Sequence, residues 1–122
     1  MTDTDKSLPT QGWTRTNAPS GRYEYQFQGR TPTVRNAQYH EAHDYQFLVM
    51  DVEGWLYKIP VRMADEAEEE MRKARQEPMA LAEDQLRAGL REFTPRQGAP
   101  YDEMDSLFSI DGARAREWLE KK

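Results

Sequence analysis

The chain of 122 residues contains no cysteine. This absence excludes disulfide bonds, thiolate metal ligands and thiol nucleophiles, so the fold depends on non-covalent interactions alone. No stretch approaches the roughly 20 apolar residues that cross a bilayer, and residues 1–11 lack the apolar run of a signal peptide. The sequence therefore predicts a soluble, cytoplasmic protein without a membrane segment.

Clustered glycines are also missing, because the seven glycines stand singly along the chain. Such a sequence has no phosphate-cradling loop, and none of its serines lies in a nucleophile-elbow context. Carboxylates are plentiful, but the pattern indicates that they are solvated and marks no pair as acid and base. The sequence thus names no catalytic residue and implies no cofactor, which favours a non-enzymatic protein.

The charge of the chain is acidic and unevenly distributed. Its formal net charge is -5 and its pI is about 5.1. Residues 1–62 hold seven basic and seven acidic residues, whereas residues 63–122 hold ten and fifteen. Nucleic-acid binding draws its affinity from clustered cations that release counterions. The composition therefore argues against a nucleic acid as the partner.

The length of the chain predicts one domain, because a second core would be too small. Residues 1–20 are polar, with Leu8 and Trp13 as their only large apolar side chains besides Met1. Burial of so little apolar surface does not offset the entropy of ordering the segment. We therefore expect a disordered N-terminal tail over 1–20 and a single α+β domain over 21–122.

The first strand signal begins at Arg22. Tyr23, Tyr25 and Phe27 alternate with polar residues, which is the period of a half-buried strand. The residues from Gly29 to Pro32 predict a turn, and 33–39 is a weaker candidate for a second strand.

The second strand signal is a hairpin around Asp51 to Gly54. Tyr45 to Met50 is apolar on both faces, which predicts the middle strand of the sheet. Gly54 supplies a positive φ for the turn, and Trp55 to Val61 returns as the next strand. Pro60 cannot donate to a ladder, so it predicts the end of that strand or an edge position.

Helix signals follow the strands. Asp65 and Glu68 have the spacing of a capping box, and Pro78 opens a longer helix with a core-facing apolar stripe. Asp111 is the predicted N-cap of a short last helix, after an apolar run at 107–110 that favours an extended segment. The predicted fold is α+β: an antiparallel three- to four-stranded meander over about 22–62, followed by two to three helices packed on one face.

One cluster has the composition of a metal site. His40, His43 and Asp44 supply two imidazoles and a carboxylate within five residues, which suits zinc or a similar cation. The spacing differs from that of the zincin motif, where the two histidines lie four residues apart on a helix. The alternative interpretation is a polar, solvent-exposed connection between two strands.

Two further patterns concern partners. Aromatic and basic residues alternate along the predicted sheet, as in a platform that stacks the bases of a single-stranded nucleic acid, but aromatics at strand spacing more often form a core. Trp13 is a large aromatic in a polar tail. It either covers an exposed edge of the protein's own sheet or serves a partner chain, since tryptophan is common among interface anchors. The acidic run that contains Glu66, Glu69 and Glu70 fits a basic partner or a solvated helix face.

The leading hypothesis from the sequence is a small non-enzymatic interaction or regulatory protein. It would bind a protein partner through an exposed sheet edge, through Trp13 or through the acidic helix. A metal-dependent enzyme or metal-binding protein that uses the histidine cluster is one alternative, and single-stranded nucleic-acid binding on an aromatic sheet face is another. Self-association stays open.

Overall fold

A computed structural model describes residues 12–32, 41–92 and 106–121 of the chain. The described strands are β1 (Thr14–Ala18), β2 (Gly21–Pro32), β3 (Ala42–Met50), β4 (Leu56–Ala64) and β5 (Ser109–Ile110). The helices are α1 (Asp65–Lys73), α2 (Pro78–Glu92) and α3 (Gly112–Glu120), with a 3-10 turn at Ser106–Phe108. The prediction of an α+β fold, a meander followed by helices, is confirmed. None of the described helices has the length and apolarity to span a membrane.

The strands form one sheet in the order β1-β2-β3-β4-β5. The first four are antiparallel neighbours, as a meander requires, and β5 joins β4 in parallel through two residue pairs. β3 lies in the middle of the sheet, as its apolar residues on both faces predicted. The extended segment predicted at 107–110 is thus a 3-10 turn that runs into a short strand.

One face of the sheet is closed by helices. Cross-strand partners share a face, so the pairs Tyr25 with Val49 and Phe47 with Ile59 place these four side chains together. All four are buried, and α2 covers them with its own apolar stripe. The stripe consists of Leu81, Ala82, Leu86 and Leu90, and α1 adds Ala67 and Met71. Burial of each large side chain contributes about 1.5–3 kcal/mol, which makes this interface the main source of stability.

Gly89 allows α2 to approach the 3-10 turn. A Cβ atom at this position would clash with Cε1 of the buried Phe108. The close contact between α2 and the 3-10 turn therefore depends on the absence of a side chain at Gly89.

The turn predicted at Gly29 to Pro32 is wrong. β2 continues through these residues, with a β-bulge between Phe27 and Gly29. Gly29 has a φ of 142°, which a residue with a side chain adopts only at a cost, so the glycine serves the bulge instead of a turn. The extra residue shifts the alternation by one, and Arg30 therefore comes opposite Tyr45. The weaker strand predicted at 33–39 falls outside the described residues.

β1 lies within the segment for which the sequence predicted disorder, 1–20. Residues 1–11 are outside the described ranges, whereas Thr14–Ala18 pairs with β2 in an uninterrupted antiparallel register. The segment buries little, but its main chain hydrogen-bonds to a long neighbouring strand and α2 packs against it. Main-chain pairing, which the apolar count ignores, accounts for the difference.

Two further details differ from the sequence expectation. β4 does not end at Pro60 but continues to Ala64. On the side of β4 away from β3, no described strand pairs with Pro60, which agrees with the predicted edge position. α1 begins at Asp65, but no side chain caps it, so the capping box is wrong. The cap predicted for α3 is confirmed, since Asp111 accepts a hydrogen bond of 2.8 Å from the amide of Arg114.

Candidate functional site

The second face of the sheet, here called the outer face, carries the side chains that alternate with those of the core. Near the β3–β4 turn these include Leu48, Met50 and Leu56, and Met50 is the direct cross-strand partner of Leu56. Leu48 and Met50 are half-buried, while Leu56 is 55% exposed. An apolar surface thus reaches solvent at this end of the sheet.

The turn between β3 and β4 extends that surface. Val52 is 65% exposed and Trp55 is 51% exposed, and both lie within a few residues of Leu56. We call these three residues, with Leu48 and Met50, the hairpin-tip patch. Three large apolar side chains with this much exposure, within five residues of the chain at one end of the sheet, form a candidate interaction surface.

Asp51 fixes the conformation of the turn. One of its carboxylate oxygens accepts hydrogen bonds of 2.9 Å from the amides of both Glu53 and Trp55. The other accepts a hydrogen bond of 3.1 Å from the hydroxyl of Tyr57. Gly54, with a φ of 89°, closes the turn as the sequence predicted. Trp55 is therefore held exposed by a defined turn.

A shallow cleft lies beside the patch. It has a volume of about 250 Å³ and lies between the β1–β2 turn and the β3–β4 turn, where residues 20–23 face residues 51–53. Val52 forms one wall, and Arg22, Asp51 and Glu53 give the cleft charges of both signs. The cleft has room for one side chain of a partner next to the exposed apolar residues.

The residues that the sequence proposed for partner binding lie elsewhere. Trp13 is half-buried and directly precedes β1. Glu66 and Glu70 each form an ion pair with Arg116 of α3, at 3.4 and 3.5 Å, while Glu69 is exposed. The acidic helix is thus partly neutralised within the protein itself.

The sequence did not single out Trp55 and Leu56 for partner binding. It placed Trp55 at the start of the returning strand, but β4 begins one residue later at Leu56 and Trp55 belongs to the turn. The sequence signal for its exposure was its position directly after Gly54, the glycine of the predicted turn.

The closed face contains a buried carboxylate. Glu68 is 1% exposed and accepts hydrogen bonds of 2.7 Å from both Nε and Nη2 of Arg30, as well as one from the hydroxyl of Tyr45. Arg72 adds a contact of 3.5 Å from the next turn of α1. Glu68 therefore ties α1 to β2 and β3 and does not cap its helix.

Electrostatics keep this carboxylate charged. Burial alone would raise the pKa of Glu68, but the hydrogen bonds from Arg30 and Tyr45 and the charge of Arg30 outweigh burial and lower it. Burial and the same carboxylate raise the pKa of Tyr45, and the bond to Glu68 raises the pKa of Arg30 against the effect of burial. The site is an ion-paired network in which each group stabilises the charge state of its neighbours.

The predicted metal cluster is not assembled as expected. His40 lies outside the described residues. Asp44 pairs with Arg62 at 3.2 Å, and both are buried. Since neighbours in a strand point to opposite faces, His43 and Asp44 do not share a site. His43 instead lies with Nδ1 2.8 Å from Oδ1 of Asp65 and 3.7 Å from Oε1 of Glu68.

The aromatic residues that suggested a base-stacking platform lie mostly in the core. Tyr23, Tyr25, Tyr45 and Phe47 are buried beneath the helices, so stacking a base on them would require opening the core. Among the described residues of β2, Phe27 alone keeps substantial aromatic exposure. The face with most aromatics is the core face.

No protein-family model matches this chain. Neither a curated protein nor a solved structure shows significant similarity to it. The functional conclusion therefore rests on the chemistry of the surfaces described above.

Proposed function

We propose that the protein is a small non-enzymatic interaction protein that binds a protein partner at the hairpin-tip patch. One observation carries the proposal: Val52, Trp55 and Leu56 are each more than half exposed at one end of a sheet whose other face is covered by helices. The class of function is the one that the sequence favoured. The anchor is different, because Trp13 and the acidic helix are less exposed or already paired.

The physical argument concerns the cost of binding. Association loses free energy when loops and side chains become ordered at an interface. The hydrogen bonds of Asp51 already hold the turn, so Trp55 is presented with little of that cost. Tryptophan is enriched among residues that dominate binding energy, and a rim of charges beside an apolar centre is typical of interfaces. The cytoplasm remains the compartment that the sequence predicts.

Site-specific photo-crosslinking in the source cell tests this proposal. A photoreactive amino acid replaces Leu56 in one variant and Glu117, which is exposed on α3, in a matched control. We expect one protein to be captured from position 56 and not from position 117. That protein is then purified, and its affinity is measured against wild type, Trp55→Ala and Leu56→Ser.

We expect both substitutions to weaken the affinity by about tenfold or more, as for truncated interface anchors. Circular dichroism should show unchanged folding, because both side chains reach solvent. Equal capture from both positions, or an affinity that neither substitution changes, would remove the patch as the binding site.

A divalent metal site is the second candidate, and one observation favours it. His43, Asp65 and Glu68 each offer a ligand atom, and the three atoms lie within 4.8 Å of one another. Arg30 opposes it, because its guanidinium already neutralises Glu68 and would be repelled by the metal. Elemental analysis of the purified protein tests this candidate. Stoichiometric zinc in the wild type that is lost in His43→Ala would support a metal site. Only trace metal in the wild type, unchanged in His43→Ala, would exclude it.

A further inference from the structure

β1 presents an open edge. Among the described residues it pairs only with β2, so one side of its main chain has no strand as a partner. Residues 14–18 contain no proline, glycine or bulge that would blunt the edge. The outer side of β4 differs, because Pro60 removes a donor there and β5 pairs with the end of the strand.

We propose that β1 pairs in antiparallel fashion with β1 of a second copy of this chain, with Thr16 on the two-fold axis. The two sheets then continue into each other, and the helices of both copies lie on the same side. This interface is separate from the hairpin-tip patch and does not depend on the proposed function.

The side chains of β1 are self-complementary in this register. Thr16 lies opposite Thr16 of the second copy, Arg15 opposite Asn17, and Thr14 opposite Ala18. Paired threonines stabilise neighbouring antiparallel strands, whereas like charges directly opposite each other destabilise them. The register centred on Thr16 keeps the two Arg15 side chains out of direct opposition.

The neighbouring registers fit less well. A two-fold axis at Arg15 would place the two guanidinium groups directly opposite each other. An axis at Asn17 would bring Thr14 opposite Ser20, which is part of the β1–β2 turn, and would shorten the paired run. In all three registers the closed faces of the two sheets lie on the same side. The fit of the β1 side chains therefore determines which register is favoured.

Trp13 gains a contact in the same register. It comes near Pro19, which lies in the β1–β2 turn of the second copy, at each end of the paired strands. In the single chain Trp13 is half-buried and Pro19 is exposed. An aromatic ring over a proline adds apolar burial that main-chain pairing alone lacks, and it gives the predicted interface role of Trp13 a physical form.

The charge distribution permits this association. The chain carries -5 overall, but its acidic excess lies in residues 63–122. Within β1 itself Arg15 is the one charged residue, and its guanidinium lies 3.7 Å from the carboxylate of Glu24 in β2. The acidic helix α1 packs on β4 and α3, so its carboxylates are not part of the β1 edge.

Sedimentation equilibrium provides the first test. We expect a monomer–dimer equilibrium whose dimer fraction rises with protein concentration. Trp13→Ala should weaken the dimer by about tenfold, as for loss of an interface aromatic. Leu56→Ser should leave the dimer unchanged, because it alters only the hairpin-tip patch. The two proposals can therefore fail separately.

Disulfide trapping tests the register and remains informative when the dimer is weak. The chain has no cysteine of its own, so each engineered thiol is the only one in its copy. Directly opposed residues have Cα atoms about 4.5–5.5 Å apart, within the range that a disulfide bridges. Thr16→Cys should therefore form covalent dimers, and a mixture of Arg15→Cys with Asn17→Cys should form a mixed disulfide.

Two controls set the background. Arg15→Cys by itself should not crosslink efficiently, because the two thiols are diagonal neighbours with Cα atoms roughly 7–8 Å apart. Glu117→Cys on α3 reports random collisions. A yield at Thr16→Cys that equals the Glu117→Cys yield, together with a monomer at every concentration, would overturn the proposal. So would a dimer in which Arg15→Cys alone crosslinks as well as the mixture.

Discussion

The two faces of the sheet differ although they share the same strands. Phe47 and Leu48 are adjacent in β3, yet Phe47 is 1% exposed and Leu48 is only half-buried. The difference arises because alternate side chains point to opposite faces and the helices α1 and α2 cover one of them. The same residue types therefore stabilise the fold on one side and are available to a partner on the other.

Charged groups differ between the closed face and the part of the outer face near the turn, although farther from the turn Asp44 and Arg62 form a buried pair on the outer face. On the closed face Glu68 is fully enclosed and bound by Arg30 and Tyr45. On the outer face near the turn, Lys58 is exposed to solvent and is not enclosed as Glu68 is. Charges matter for stability where a protein buries them, and elsewhere they mainly affect solubility and recognition.

The largest expected difference between the faces concerns their apolar side chains. Phe47→Ala should lower the free energy of unfolding by about 4 kcal/mol, because it leaves a cavity under α2. Leu56→Ala should change it by no more than about 0.5 kcal/mol, because that side chain is mostly in water. Urea denaturation of both variants measures the two values. Similar losses in both would mean that the outer face is also packed.

A glycine tests the closeness of the helix packing. Gly89→Ala should destabilise the protein by about 3 kcal/mol, since its new methyl group meets the ring of Phe108. Gly112→Ala is the matched control. There the obstructing atoms belong to the exposed, flexible side chain of Glu66, so the loss should be clearly smaller. Thermal unfolding of both variants measures the two losses in stability. A Gly89→Ala variant that is more stable than the Gly112→Ala variant would contradict the packing described for α2.

The buried carboxylate gives a smaller effect. Glu68→Gln should reduce the free energy of unfolding by about 2 kcal/mol. We expect a smaller loss of stability than for a fully buried ion pair, because the side chain of Arg30 is 38% exposed and water can solvate the unpaired cation. Glu69→Gln, the exposed neighbour on the same helix, should change it by less than about 0.5 kcal/mol. Chemical denaturation at neutral pH compares them.

The same residue sets a pH dependence. The pKa of Glu68 lies below its ordinary 4.5 in the folded protein, so the unfolded chain binds the proton more readily. This contribution to stability is fully present above the unfolded pKa and is lost as the pH falls through the folded pKa. The difference between wild type and Glu68→Gln should therefore shrink in acid. A difference that stays constant from neutral pH into strong acid would exclude a charged Glu68.

The sequence predicted the fold well where local signals agreed. The hairpin around Gly54, the central place of β3, the start of α2 at Pro78 and the cap at Asp111 all follow from side-chain chemistry within a few residues. The expectation that helices pack on one face of the sheet follows from the alternation of the strands.

The sequence could not predict features that depend on distant residues. The bulge at Gly29 has the same local signal as a turn, and only pairing with β3 distinguishes the two. Glu68 has the spacing of a capping residue, but Arg30 and Tyr45 are close to it only in the folded chain. The exposure of Trp55 depends on where β4 begins, which is a boundary of a single residue.

Hydroxyl-radical footprinting with mass spectrometry tests the contrast between the faces most directly, because it reads the accessibility of each side chain in solution. The account predicts fast oxidation of Trp55 and Leu56 and strong protection of Phe47 and Tyr25, all in one sample of purified protein. Comparable oxidation of the two pairs, or protection of Trp55 and Leu56 in the isolated chain, would contradict the claim that the core face is closed and the hairpin-tip patch is open.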